Sequence, residues 1–74
     1  MPSRRTDASF GAAVRQLLGQ RKLSLRAAAY KTGLDHTTIM DMGRGHVPQR
    51  RTVMDFARGL GEPVNKWLQL AGYD

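Results

Sequence analysis

The chain has 74 residues, a formal net charge of +6 at pH 7 and no cysteine. This length allows one small domain with a single core, and it leaves no room for a deep catalytic cleft around a large cofactor. Without cysteine there is no disulfide framework and no thiolate zinc site, which fits a cytoplasmic protein. Twelve basic residues against six acidic ones point to a polyanionic partner, with nucleic acid as the first candidate.

Apolar residues recur at spacings of three and four, which predicts helices throughout and no strand. Residues 1–8 lack an apolar period and are predicted to form a basic N-terminal arm, loose unless something holds it, ahead of a single domain over 9–74. The first helix is predicted to begin at a cap on Asp7 or Ser9 and to end near Arg21. Its buried stripe is predicted to comprise Phe10, Val14, Leu17 and Leu18.

Two short helices with a three-residue turn between them are predicted in the middle of the chain. Ser24 is a good cap for a helix over 25–32, and Gly33 can supply the left-handed residue that ends it. Asp35 then caps a third helix over 36–44, which ends at a pair of glycines. The residues predicted to face inward are Ala28 and Ala29 on the second helix and Ile39 and Met42 on the third.

The remaining chain predicts two more helices. Pro48 marks 46–48 as a loop, and a fourth helix is predicted over 50–60. Pro63 suits the first position of a fifth helix, which ends before Gly72. Their inward stripes are Val53, Phe56, Ala57 and Leu60, then Val64, Trp67, Leu68 and Ala71. The sequence therefore predicts an all-α, compact five-helix domain in which Trp67 belongs to the core, while Tyr73 is a candidate contact to a second copy.

The second and third helices have the spacing of a helix-turn-helix. The small side chain of Ala29 lets the third helix approach the second closely where the two cross, and Gly33 permits the tight turn between them. If Ile39 and Met42 point inward, the opposite face of the third helix points outward. That face carries polar and apolar side chains with one acid, a mixture that can match base edges in the major groove of DNA.

A resemblance to a known family rests on these residues. Segment 23–39, which reads LSLRAAAYKTGLDHTTI, is followed by Arg44-Gly45 and Pro48. Together with 14–17, 53–61 and the ending 67–73, it resembles the phage-repressor and Cro type of helix-turn-helix domain. The likeness covers about 10–73. It implies a five-helix, repressor-like domain of a prokaryotic or phage protein that binds operator DNA in the cytoplasm, as a two-fold dimer with its third helix in the major groove.

Three positions depart from that family. Family members often carry an arginine where this chain has Leu18 and a glutamate where it has Gly43, and the two form a structural ion pair. Both partners are missing together, which costs less than losing one of them. Leu25 replaces a polar residue that touches the DNA backbone in relatives, although its amide at a helix N-terminus can still meet a phosphate.

Carried over onto this chain, the resemblance implies which residues read bases and puts Arg44 near the DNA backbone. The other arginine contacts to phosphate are expected from where the basic residues stand in the chain. The residues expected to read bases are Asp35, His36, Thr37, Met40 and Asp41. Those expected to meet phosphates are Leu25 through its backbone amide, Arg26, Arg44, Arg50, Arg51, Arg4 and Arg5. Asp41 either accepts from a cytosine amino group, as a selectivity element, or is simply a solvated carboxylate. The arginines are either phosphate contacts or a solvated basic surface.

No catalytic or metal site is indicated. His36 and His46 lack cysteine or clustered carboxylates beside them, and Ser24 and Asp35 stand where helix caps are wanted. We therefore expect no enzyme activity, no cofactor and no membrane contact.

The sequence predicts a transcriptional regulator that binds a specific double-stranded DNA site, as a homodimer that can form on an inverted repeat of the DNA itself. Two alternatives stay open. The domain can be an antitoxin-like or adaptor module that binds a protein partner, or a nucleoid-type DNA binder without sequence preference.

Overall fold

The computed structural model describes residues 5–73. In chain order its elements are β1 (Arg5–Thr6), α1 (Ala8–Arg21), α2 (Leu25–Thr32), α3 (His36–Gly43), β2 (His46–Val47), α4 (Arg50–Gly59) and α5 (Val64–Leu70). The five helices form a compact, mostly helical globule, as the apolar spacing predicts. Within the described part of the chain, no helix has the length and apolar character needed to cross a bilayer.

The helix ends follow from local capping chemistry. The Asp7 carboxylate accepts from the amide of Ser9 at 2.9 Å, so Asp7 rather than Ser9 caps α1. The Ser24 hydroxyl accepts from the Ala27 amide at 3.1 Å and starts α2. Gly33 closes α2 in the left-handed conformation at φ 76°, which glycine adopts without steric cost. These caps confirm the predicted bounds of α2, while α3 and α4 each end one residue earlier than predicted. The prediction that Pro63 is the first residue of the fifth helix is wrong, because Pro63 stands at the cap and α5 begins at Val64.

The prediction of a chain without strands is wrong at one place. Arg5 and Thr6 pair antiparallel with Val47 and His46, so 46–47 is a strand and not part of a loop. The predicted arm is therefore held at its inner end, and α1 already begins at Ala8. Residues 1–4 lie outside the described residues.

The core lies between all five helices and is built around the only tryptophan. Trp67 is 2% exposed and meets Phe10 and Phe56 edge to face, with ring centroids 6.3 and 5.4 Å apart. Edge-to-face pairs add to the stabilisation from buried area. The prediction that Trp67 is a core residue is confirmed. The residues predicted to face inward are buried, except Ala29 and Val64, which are half-buried.

Two helical glycines allow close backbone contact between elements. A Cβ on Gly11 of α1 would lie 2.7 Å from the amide nitrogen of Gly45, just before β2. A Cβ on Gly59 of α4 would lie 2.5 Å from the Cα of Thr32 at the end of α2. Both distances are far below ordinary contact, so these helices can pack as observed only without a side chain at those positions.

A polar network joins the end of α1 to the turn between α4 and α5. Arg21 donates to the Leu60 carbonyl at 2.7 Å and forms an ion pair with Glu62. The second carboxylate oxygen of Glu62 accepts from the Trp67 indole nitrogen at 3.0 Å. That hydrogen bond, followed by those from Arg21, lowers the pKa of Glu62 below its ordinary value of 4.5. The ionised carboxylate therefore favours the folded state.

We expect the Glu62→Gln variant to lose about 1 kcal/mol of unfolding free energy at pH 7, because a charged hydrogen bond and a partly exposed ion pair become neutral. A lowered folded pKa gives a contribution that is complete above the unfolded pKa and is lost as the pH falls through the folded pKa. The difference in unfolding free energy between the two proteins should therefore begin to narrow as the pH falls through the ordinary pKa of 4.5, and it should close below the lowered pKa of the folded state. Urea unfolding followed by Trp67 fluorescence at several pH values measures it.

Asp55→Asn, which removes a carboxylate from α4 outside this network, serves as the control and should show a smaller loss at pH 7. A gap between the native protein and Glu62→Gln that persists unchanged at pH 3 would contradict the assignment of the stabilisation to the ionised carboxylate.

Candidate nucleic-acid interface

Helix α3 presents one face to solvent and the other to the core. Ile39 and Met42 are buried, at 0% and 1% exposure, against neighbouring helices. On the opposite side Thr37 and Asp41 are exposed, and Met40 is half-buried. Because the inner face is fixed by packing, the outer side chains project from a rigid support. The residues predicted to read bases therefore share the exposed side of this helix or its cap, and His36 is half-buried there.

The first of these residues, Asp35, also caps α3. Its carboxylate accepts from the Thr37 amide at 3.4 Å and lies 3.4 Å from the His36 Nδ1. Hydrogen bonds from the side chain and amide of Thr37 lower the pKa of Asp35 below its ordinary value of 3.8. One oxygen of Asp35 is thus engaged in capping, while the side chain as a whole stays exposed.

Asp41 and Arg44 form an exposed pair across one turn of helix. Their Nη1 and Oδ1 atoms are 3.8 Å apart, and both side chains are more than half exposed. Such pairs contribute little to stability, so the pair can open at low cost. Asp41 is therefore still open to either predicted role, as an acceptor for a cytosine amino group or as a solvated carboxylate. Arg44 partly offsets the repulsion that Asp41 would exert on an approaching anion.

The amino end of α2 combines a neutral cap with a cation. Ser24 provides the cap, and Leu25 is the first helical residue, so the helix itself offers no acceptor for the Leu25 amide. Arg26 is exposed in the same first turn, which holds no acidic residue. Arg26 also lines an open cleft with Tyr30 and His36, which brings the start of α2 next to the start of α3.

The amino end of α4 repeats this arrangement with two cations. Arg50 and Arg51 are its first residues, both are exposed, and the first turn holds no acidic residue. Gln49 stands at the cap without a side-chain hydrogen bond to the helix. The amino end of a helix carries a partial positive charge that favours acids and disfavours arginine. Local helix stability therefore does not explain why arginines occupy this turn.

Of the two arginines predicted on the arm, only Arg5 lies within the described residues. The backbone of Arg5 pairs with Val47, which anchors the arm beside β2. Arg4 lies outside the described residues, so its predicted contact has no structural position.

Sequence reasoning missed a link between α1 and the end of α3. Arg15 donates from Nη1 to the Gly43 carbonyl oxygen at 2.5 Å, and its Cγ lies 3.5 Å from where a Gly43 Cβ would stand. The last turn of α3 holds no basic residue of its own, so Arg15 supplies a cation at the negative end of this helix. Leu18, on the same helix, is buried in the core.

Sequence reasoning also missed the role of Tyr73. Its hydroxyl donates to the Pro48 carbonyl oxygen at 2.6 Å, so the end of the described chain is tied to the segment just before α4. No local pattern signals such a contact, because the two residues meet only through the packing of α5 on α4.

Across 5–73 no group of three or more His, Asp or Glu side chains lies close enough to share a metal ion. Ser24 and Asp35 act as helix caps, as their positions predict.

No family model, curated protein or solved structure matches the chain. The residues described above therefore carry the functional interpretation.

Proposed function

We propose that the protein is a transcriptional regulator that recognises a specific double-stranded DNA sequence. In this proposal α2, the turn 33–35 and α3 act as a helix-turn-helix, with α3 in the major groove. Two copies bind an inverted repeat, as the two-fold symmetry of such sites requires. Occupancy of the site, not a chemical reaction, alters transcription.

One observation carries the proposal: arginines stand in the first turns of α2 and α4, each of which has a neutral cap and no acid in that turn. Arg26 and the pair Arg50 and Arg51 are exposed there. Cations at the positive end of a helix are locally unfavourable, and an anion that binds at that end reverses the sign of this effect. Phosphate groups are anions of the kind that such helix ends bind.

Helix α3 lies between Arg26 and Arg50 in the chain, and its side chains favour a role in selecting the DNA sequence. The outer face of α3 and its cap carry a threonine and two acids that are exposed and a methionine and a histidine that are half-buried, and no arginine or lysine occurs within the helix. Hydroxyl, imidazole, carboxylate and thioether groups can meet the donors, acceptors and methyl groups of the major groove. Phosphate contacts at the flanks would set the register, and α3 would choose among sequences.

A second candidate function has one specific observation in its favour. Tyr30 on α2 is 91% exposed and is the one large hydrophobic residue of the described chain that is exposed. An exposed aromatic side chain suits a protein contact, as in an antitoxin-like or adaptor module. The same open cleft contains Arg26 and His36, however, so DNA binding and a protein contact compete for this side of the molecule.

Selection from a pool of randomised duplexes tests the proposal against its rivals. Enrichment of a single inverted repeat supports the regulator. Retention without an enriched motif supports a nucleoid-type binder, and no retention supports a protein-interaction module. Either of the last two results overturns the proposal.

We expect His36→Ala and Thr37→Ala to change the selected motif, because each removes a polar group from the face of α3 that meets base edges. A lost base contact should cost about 1–3 kcal/mol of discrimination against the wrong base pair. Competition binding with single base-pair variants of the selected site measures this loss. Gln20→Ala, an exposed change near the end of α1, is the control and should leave the motif unchanged. An unchanged motif in both α3 variants would show that this helix does not read the bases.

A further inference from the structure

Residues 43–48, called the link below, run from the last residue of α3 to two residues before α4 and lie beside the cations proposed to meet phosphates. Arg44 lies within it, and Arg50 and Arg51 follow after one further residue. The positions of these cations relative to α3 therefore depend on the shape of this link.

Three donors from other parts of the chain hold the carbonyl oxygens of the link. Arg15 of α1 donates to Gly43 at 2.5 Å. The Asp7 amide, just before α1, donates to Gly45 at 2.7 Å. The Tyr73 hydroxyl, beyond α5, donates to Pro48 at 2.6 Å. The link is thus tied at its beginning, middle and end by residues far from it in the chain.

The link is also held by its packing against the core and against α1. Val47 is 1% exposed, and β2 pairs with β1. Gly45 lies against Gly11 so closely that a methyl group on Gly11 would overlap its backbone. Carbonyl oxygens repel phosphate, and here three of them accept hydrogen bonds from within the protein. The link therefore combines restrained geometry with cations at both of its ends.

From this arrangement we propose that the link 43–48 is a preorganised contact for the DNA backbone and that Tyr73 is a positioning residue for it. The inference rests on the proposed DNA-binding function. Tyr73 holds Pro48, and Pro48 is two residues before Arg50, so the hydroxyl fixes where the first turn of α4 presents its arginines. A contact that is ordered before binding loses less conformational entropy on binding, which strengthens the complex. Arg15 and Asp7 hold the other end of the link in the same way.

Tyr73 offers a cleaner test than Arg15, because it is not a cation and phenylalanine has the same ring. We expect Tyr73→Phe to weaken binding to the selected duplex about 3- to 10-fold, as the loss of one hydrogen bond would. The slope of log K against log salt should stay the same, because the number of phosphates contacted does not change. The selected motif should also stay the same. In the free protein, amide hydrogen exchange should become faster at Val53, whose amide donates to the Gln49 carbonyl oxygen at 3.2 Å in the first turn of α4.

Glu62→Gln is the matched control, since it weakens a hydrogen-bond network between α1 and the α4–α5 turn without touching the link. It should leave DNA affinity unchanged. Equal affinity of Tyr73→Phe and the native protein would overturn the positioning role. So would a shallower salt slope, which would make Tyr73 a phosphate contact, or an equal loss of affinity in Glu62→Gln, which would indicate general destabilisation. Failure of the native protein to select any duplex would instead overturn the proposed function itself.

Discussion

Replacing Gly11 with alanine is expected to lower the unfolding free energy by about 1–3 kcal/mol, the usual cost of overpacking a close contact. A methyl group there would stand 2.7 and 2.8 Å from the nitrogen and Cα of Gly45. Both atoms belong to backbone held by the Asp7 amide and by the adjoining strand pair, so they cannot turn aside as a flexible side chain would. The N-terminal part of α1 must therefore move away from the link, or the strand pair must open.

Gly19 provides a matched control within the same helix. Nothing lies within 4 Å of the position that its Cβ would take. Gly19→Ala should therefore stabilise the protein by about 0.5–1 kcal/mol, since alanine loses less backbone entropy in a helix. The two variants are the same chemical change with opposite expected signs. Urea unfolding followed by Trp67 fluorescence compares them directly, and a gain of stability in both would show that the contact between Gly11 and Gly45 yields easily.

The helices could be predicted from the sequence because their signals are local. The caps Ser24 and Asp35 and the left-handed Gly33 each act within a few residues of the helix end they define. The strand pair could not be predicted, since two-residue strands have no period to detect. Their pairing depends on a close approach of α1 that only Gly11 permits, and a glycine inside a helix indicates no particular partner.

In the candidate site, too, features with a local signal could be predicted from the sequence, and contacts made only by the fold could not. The exposed face of α3 follows from the inward positions of Ile39 and Met42, which the spacing predicts correctly. The pair of Asp41 and Arg44 also has a local signal, since opposite charges stand three residues apart. The hydrogen bonds from Arg15 and Tyr73 to backbone carbonyls have none, because any carbonyl brought near by the fold can accept them. Binding of DNA itself stays a prediction.

Removal of both Arg50 and Arg51 is expected to weaken binding to every duplex alike, by about 100- to 1000-fold at 0.1 M salt, because these residues are proposed to meet phosphates and not bases. The native dimer should bind with log K falling by more than about 5 per log unit of salt, which corresponds to six or more phosphates. Each phosphate contact that is lost reduces this slope by about 0.9. The double variant removes two arginines from each of the two copies, so the slope of log K against log salt should become shallower by about 3 to 4.

The double variant Arg50→Ala with Arg51→Ala is compared with Arg58→Ala combined with Lys66→Ala, which removes the same net charge elsewhere. Arg58 and Lys66 are exposed, and Arg58 lies in the last turn of α4, about 12 Å along the helix axis from Arg50. Since exposed charges act weakly beyond about 10 Å at this salt concentration, the control should change the affinity far less and leave the salt slope nearly intact. Equal effects of the two double variants would mean that net charge alone holds the DNA. A changed sequence preference in the Arg50 and Arg51 variant would place α4, not α3, against the bases.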